Sequence, residues 1–382
     1  MTTSFIELSR SALKNNIEFI RQQIGENVIL SSVIKGNAYG HGIHEMTTEL
    51  ERLGIRHFSV FGVHEARQIF EVRKKKSTIM VMGEVGQQDF DWVVRNEIEC
   101  YVFNFQHLKR FCETARKLGK KAQIHIELET GMHRTGFDSK YWKNVVDFIH
   151  ENKDFLVFKG LCTHFAGAES ISNYKRIQRQ RRVFRQGVQY FKRHDLEPEV
   201  IHTSCSAAMI SYPKERWDLV RIGILQYGLW PSRETYISYL TKKKIYEDPL
   251  KRVISWKSHI MDIKSVKRKE FIGYGMTFLA EQDTRIASVP VGYSQGYSRV
   301  LSNQGKVIVN GKRLDVIGTV NMNMLLIDVT SLERVSIGDT VLLIGDQGEY
   351  SITVAAFSDM SNQLNYELLT RLDKDIPRKI IA

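Results

Sequence analysis

The sequence predicts an α/β chain: an N-terminal (β/α)8, TIM-type barrel followed by a mostly-β C-terminal domain. Three observations predict it. Eight short β-rich runs alternate with amphipathic stretches over the first 230 or so residues, the texture changes near Tyr246-Glu247-Asp248-Pro249-Leu250, and long helical patterns become scarce beyond Arg252. Strands alternating with helices imply a parallel sheet. A doubly wound open sheet is the rival, and the count of eight favours closure into a barrel.

In order, the strand candidates are Val28–Ile34, His57–Val63, Ser77–Gly83, Glu99–Asn104, Ala122–Leu128, Phe158–His164, Val200–Ser204 and Leu219–Gln226. Between them apolar residues recur at three- and four-residue spacing, as in Met46, Leu50 and Leu53, or Phe105, Leu108 and Phe111, which marks amphipathic helix. The second half reads as strands over Val253–Ile263, Thr284–Val291, Lys306–Val309, Leu314–Ile317, Leu325–Val329 and Thr340–Ile344, with a helix near Tyr366–Leu372. Asn310-Gly311 suits the type I′ turn of a hairpin, because both central residues of that turn need positive φ. The expected domains are 1–245 and 246–382, and 382 residues give each enough chain for its own core.

Composition narrows the function classes. An apolar fraction of 42% and a charged fraction of 26% are those of an ordinary soluble protein. There is no apolar run of membrane-spanning length, and Met1–Glu7 does not read as a signal peptide, so a cytoplasmic location is expected and no membrane partner. The four cysteines, Cys100, Cys112, Cys162 and Cys205, are too sparse for a disulfide framework and too widely spaced for a zinc knuckle; reduced thiols and no metal are expected. The net charge is +12, and its densest run, Lys175 to Arg193, has helical spacing. That run reads as a solvated helix face, and no nucleic-acid module accompanies it.

The chemistry concentrates first in Ser31-Ser32-Val33-Ile34-Lys35-Gly36-Asn37-Ala38-Tyr39-Gly40-His41-Gly42. An apolar strand ends in a lysine, and a glycine-rich loop follows. Strand C-termini form the active face of a barrel, and a lysine there can be desolvated into a nucleophile. Spacing alone fits equally a lysine snorkelling to solvent.

The segment resembles the pyridoxal-phosphate lysine motif of the alanine racemase family, Lys-Ala-Asn-Ala-Tyr-Gly-His-Gly, with Gly36 in place of the first alanine. Further matches follow in order: Glu129-Thr130-Gly131-Met132-His133-Arg134-Thr135-Gly136, Thr163-His164-Phe165-Ala166, His202 with Ser206-Ala207-Ala208, Val220-Arg221-Ile222-Gly223-Ile224, Gly273-Tyr274-Gly275, Pro290-Val291-Gly292-Tyr293, Val320-Asn321-Met322 and Asn365-Tyr366-Glu367. The resemblance implies a cytoplasmic isomerase with pyridoxal 5′-phosphate on Lys35. It implies interconversion of L- and D-alanine, D-alanine supply for peptidoglycan precursors, and a head-to-tail homodimer with shared sites.

By the same resemblance Lys35 and the partner chain's Tyr274 are the two acid–base groups on opposite faces of the substrate. A tyrosine hydroxyl, ordinarily titrating near ~10, needs help to act as a base at neutrality. His164 and Arg221 match the residues linking that tyrosine to the cofactor. An arginine facing the ring nitrogen donates only, so it keeps that nitrogen unprotonated and should suppress transamination. Tyr39, Ser206, Tyr366 and the backbone N–H groups of Gly223 and Ile224 match the phosphate contacts. Arg134 and the Met322 N–H are the candidates for the substrate carboxylate, although Arg134 could instead polarise the cofactor's phenolic oxygen.

The sequence departs from the family pattern around the pocket. Many members carry a carbamylated lysine where Glu127 stands; a glutamate is already an anion, so none is expected here. Asn321-Met322-Asn323 replaces Cys-Met-Asp, and Cys205-Ser206 replaces Asn-Ser. These changes leave the reaction type intact and open serine or broader amino-acid specificity as the alternative. A basic-amino-acid decarboxylase is disfavoured by Arg221, and a non-enzymatic pyridoxal-phosphate carrier by the second domain.

Overall fold

The computed structural model describes residues 3–355, 357 and 365–382; Met1 and Thr2 of the N-terminal segment lie outside them. Two compact units form. One comprises Ala12–Gly36 and Met46–Lys251; the other comprises Met1–Ser11, Asn37–Glu45 and Arg252–Ala382. The first strand, β1 (Ser4–Ser9), belongs to the second of these.

The first unit is the barrel. Its strands are β2 (Ile29–Val33), β3 (His57–Val60), β4 (Thr78–Val81), β5 (Glu99–Val102), β6 (Ala122–Glu127), β7 (Leu156–Cys162), β8 (Val200–His202) and β9 (Leu219–Ile222). All eight were legible as strand candidates. They pair in parallel in the order β8-β7-β6-β5-β4-β3-β2-β9. The ring closes where the Arg221 N–H donates to the Ser204 carbonyl at 2.9 Å, beside a parallel bridge between Cys205 and Arg221.

The helices between the strands follow their apolar spacing. Helix Phe105–Leu118 buries Leu108, Phe111, Cys112 and Ala115 on one face. It starts where the Asn104 side chain accepts from the His107 N–H at 2.8 Å, and stops at Gly119, whose φ of +60° suits a residue without Cβ. Burying each large apolar side chain on that face stabilises the unit by roughly 1.5–3 kcal/mol.

The second unit is a twisted β-sheet. Its later strands are β10 (Ile254–His259), β11 (Asp262–Val266), β12 (Thr284–Val289), β13 (Lys306–Val309), β14 (Lys312–Ile317), β15 (Leu325–Asp328), β16 (Thr340–Gln347), β17 (Tyr350–Ile352) and β18 (Arg378–Ile381). Their order is β11-β12-β15-β14-β13-β16-β10-β1-β18, with β17 on β16. The Asn310-Gly311 hairpin forms as expected: Val309 pairs Lys312, and the two turn residues have φ of +47° and +72°.

One expected strand, Val253–Ile263, divides in two. The Ile260 N–H donates to Asp339 and the next N–H, of Met261, to Ser288, so the chain changes partners at this step. Its first half then pairs β16 and its second half β12.

Candidate active site

Lys35 follows β2 at the C-terminal end of the barrel strands, where the chain leaves the sheet in an unusual way. Gly36, Asn37, Ala38, Tyr39 and Gly40 all have positive φ, from +52° to +78°, in a single turn of left-handed helix. Each non-glycine residue held there costs roughly 1–2 kcal/mol, so neighbouring contacts must hold the turn. One of them is Glu65, a buried carboxylate that accepts from the Gly36 N–H at 2.6 Å and, through its other oxygen, from the N–H groups of Phe61 at 3.0 Å and Gly62 at 3.3 Å. The end of β2 is braced as well. Gln226 accepts from the Ser32 hydroxyl at 2.7 Å and donates to the Val33 carbonyl at 3.0 Å.

Lys35 itself is half-buried. Burial pushes its amine below the ordinary lysine range, and the guanidinium groups of Arg134 and Arg221 push the same way, against Glu65 and Cys205. A lysine so placed has an available lone pair at lower pH than a surface lysine does.

Arg221, on β9, is buried and makes four hydrogen bonds through its side chain. It donates to the carbonyls of Thr163 and Thr203, both at 3.0 Å, to His164 Nδ1 at 3.4 Å, and to His202 Nδ1. All four partners are uncharged acceptors. Burial and the neighbouring cations Arg221, Arg134 and Lys35 push His164 down to about 3, so it is neutral at physiological pH.

Ser206 and Gly223, both phosphate candidates by resemblance, are hydrogen-bonded to each other. The Gly223 N–H donates to Ser206 Oγ at 3.1 Å, joining the start of helix Ser206–Ser211 to the start of the short helical turn Ile224–Tyr227. The Cys205 side chain takes hydrogen bonds from the Ala207 and Ala208 N–H groups at the first of these starts, so part of its backbone donor set is engaged within the chain. Arg134 is exposed on the loop after β6. Glu127, at the end of β6, is buried; burial pushes its carboxyl up, while the Thr135 side chain and Arg134 hold it down.

The remaining predicted residues lie in the second unit. Tyr39 and Tyr366 are brought edge to face, with ring centroids 6.0 Å apart. Gly40 beside them approaches the Leu369 carbonyl so closely that a Cβ would collide with it, and its own carbonyl accepts from Arg378 at 3.0 Å and 3.2 Å. Tyr274 is 75% exposed on a loop whose flanking Gly273 and Gly275 both have positive φ. Met322 is also exposed, and its carbonyl accepts from the Ser294 N–H and hydroxyl at 2.9 Å and 2.8 Å. Asn323 donates to Ser294 Oγ at 2.7 Å, and Asn321 accepts from the Tyr293 N–H at 3.1 Å, so the altered residues shape one loop pair.

The sequence reading gave no role to Glu65, Gln226 or His202. His202 stands in a matched motif and Gln226 two residues beyond one, whereas Glu65 lies near none, and only the fold sets it against Gly36.

Two family models match this chain: the alanine racemase N-terminal domain over residues 8–231 and the alanine racemase C-terminal domain over residues 253–380. The chain is 35% identical over 384 residues to the alanine racemase of Leptospira interrogans serogroup Icterohaemorrhagiae serovar copenhageni, covering 99% of this chain and 96% of that one. The alanine racemase of Bacillus anthracis, solved with bound L-Ala-P, superposes with a TM-score of 0.88 at 28% identity over 100% of this chain and 96% of that one. The Bartonella henselae enzyme, solved with covalently bound pyridoxal phosphate, superposes with a TM-score of 0.82 at 25% identity over the whole of both chains. By sequence, by domain order and by fold, this chain belongs to the alanine racemase family.

Proposed function

We propose that this protein interconverts L- and D-alanine with pyridoxal 5′-phosphate held covalently on Lys35. The observation that carries the reading is Lys35 itself, a lysine at a barrel strand end whose amine is pushed down by burial and by Arg134 and Arg221. The donor set fits the cofactor. Ser206 and the backbone N–H groups of Gly223 and Ile224 would hold its phosphate, with Tyr39 and Tyr366 as further donors, and Arg221 would face its ring nitrogen. When bound, the cofactor delocalises the charge left at the substrate Cα.

The chain's own groups do the rest. Lys35 takes or returns the Cα proton on one face, and Tyr274 does so on the other. Arg221 has no lone pair to accept a proton, so it leaves the ring nitrogen unprotonated and limits charge spread into the ring. His164 beside it is neutral and can accept a hydrogen bond. Arg134 and the Met322 N–H bind the substrate carboxylate, with Glu127 as the anion that orients Arg134.

Tyr274 serves a second copy of the chain in a head-to-tail homodimer. Its exposure on a glycine-flanked loop supports this, because a catalytic tyrosine needs a pocket around it. The enzyme works in the cytoplasm, where its D-alanine feeds peptidoglycan precursors. Asn321 and Asn323 favour a test of serine beside alanine. Each enantiomer of both amino acids is incubated with enzyme in D2O, and chirality and Cα deuterium are followed. Inversion with label entering both alanine enantiomers is expected. Exchange of serine without alanine would replace the substrate assignment, and exchange of neither would remove the reading.

A further inference from the structure

Behind Arg221 the barrel interior holds a line of buried polar residues to which the reaction described above gives no role. It begins at Arg221, whose Nη1 donates to His202 Nδ1. Because that nitrogen accepts, the neutral His202 ring carries its proton on Nε2, and Nε2 lies 2.9 Å from His125 Nδ1. His125 therefore accepts there and carries its own proton on Nε2, which lies 3.0 Å from Glu99 Oε2. The same oxygen receives His57 Nε2 at 3.2 Å, and His57 Nδ1 meets Ser31 Oγ at 2.8 Å.

Each link is directional, and each member is under 9% exposed. The line crosses the barrel from the end of β8 through the middle of β6 to the first residues of β5 and β3. It has been given room: a Cβ on Gly160 of β7 would collide with the His125 ring. Both central rings are held neutral, since burial and Arg221 push His202 down and burial pushes His125 down against the pull of Glu99. Burial pushes the Glu99 carboxyl up, but hydrogen bonds from His125 and His57 outweigh it and hold the group ionised. Lys159 stands 3.9 Å from the other Glu99 oxygen.

A guanidinium fixed by an adjacent carboxylate would have its charge cancelled on the spot. Arg221 is fixed instead by neutral acceptors, and the anion at the end of the line sits two imidazoles away. The position is set without neutralising the charge that faces the cofactor ring.

We propose that Glu99, His125 and His202 form a barrel-spanning strut that fixes the orientation of Arg221, with Glu99 as a positioning residue for the reaction. This rests on the reading of Arg221 as the partner of the cofactor's ring nitrogen. Glu99 acts as a terminal acceptor, so Glu99→Gln, which can leave its amide oxygen between the two histidines, retains the strut. Glu99→Met and His125→Phe cut it while keeping bulk.

The test uses the full-length holoenzyme labelled with 15N-histidine, with signals assigned from His125→Phe and His202→Phe. Wild-type and Glu99→Gln proteins should show both rings as neutral Nε2–H tautomers. In Glu99→Met and His125→Phe, kcat for alanine should fall ~10–100-fold with KM within about threefold, as expected for a misplaced group far from the chemistry. The fraction of turnovers ending in transamination should rise, and Glu99→Gln should stay near wild type on both measures. Nδ1–H tautomers in wild-type protein would overturn the strut, as would wild-type kcat and selectivity in both cut variants. Absence of alanine exchange by wild-type enzyme would instead remove the functional reading, and the tautomers would still report on the strut.

Discussion

The Gly36 backbone N–H donates to Glu65 Oε1 at 2.6 Å, so a carboxylate in the first turn of the helix after β3 holds the first residue after Lys35. The other oxygen caps the helix Val63–Val72 through Phe61 and Gly62. One side chain thus ties two βα turns together and braces the left-handed turn that begins at Gly36.

Replacing Glu65 by glutamine leaves only one accepting oxygen, and the amide N–H groups then face backbone donors. Stability should fall by about 1–3 kcal/mol in urea unfolding, the cost of a buried donor without a partner. The carboxylate also raises the Lys35 amine, so its loss should move the lysine-dependent limb of the pH–rate profile to lower pH. An unmoved profile with lowered stability would reduce Glu65 to a structural role.

Acid should destabilise the fold early. His41 is fully buried and pushed down to about 4, with burial as the main cause, and His125 and His202 are pushed down as well. A lowered folded-state pKa means the unfolded chain takes up protons first. The stability associated with these neutral histidines is complete above about 6.5 and is lost as pH falls below it, at roughly 1.4 kcal/mol per pH unit for each histidine. Urea midpoints measured between pH 7.5 and pH 5 should fall steadily. A flat profile over that range would contradict the neutral, buried assignment.

Glu127 should do without carbon dioxide. Its carboxyl is the proposed anion toward Arg134, and no lysine stands at that position to be carbamylated. Activity should be the same in bicarbonate-free and bicarbonate-supplemented buffer, and intact mass should equal that of the chain plus cofactor. A mass higher by one carboxylate, lost on acidification, would show that another residue supplies the anion.

The proposed sharing of sites between subunits predicts complementation. Lys35→Ala and Tyr274→Phe enzymes should each be almost inactive, and a refolded equal mixture should regain about a quarter of wild-type activity, since half the dimers carry one intact site. No recovery, in a mixture that native mass spectrometry shows to contain heterodimers, would place both groups on one chain.

The barrel was legible because its strands are short β-rich runs and its helices bury one face at regular spacing. Helix Phe105–Leu118, with Asn104 before it and Gly119 after it, follows from local sequence alone. Strand β1 does not: Ser4–Ser9 pairs β10 and β18, hundreds of residues away, and nothing near it marks a partner. The split of Val253–Ile263 was hidden for the same reason, since a change of partner leaves the local pattern unbroken. Lys35, Arg221 and Ser206 were singled out by motif. Glu65, Glu99 and His125 were not, because each looks like an isolated polar residue until the fold places its partner against it.

The central claim concerns Lys35, and one paired measurement tests it most directly: absorbance and alanine chirality followed on the same samples. Wild-type enzyme with pyridoxal 5′-phosphate should show a band near ~420 nm from the lysine-bound cofactor and should bring L-alanine to a racemic mixture. Lys35→Ala should lose both while remaining folded. A wild-type protein that shows no such band with added cofactor, or a Lys35→Ala protein that keeps it and still racemises alanine, would contradict the account.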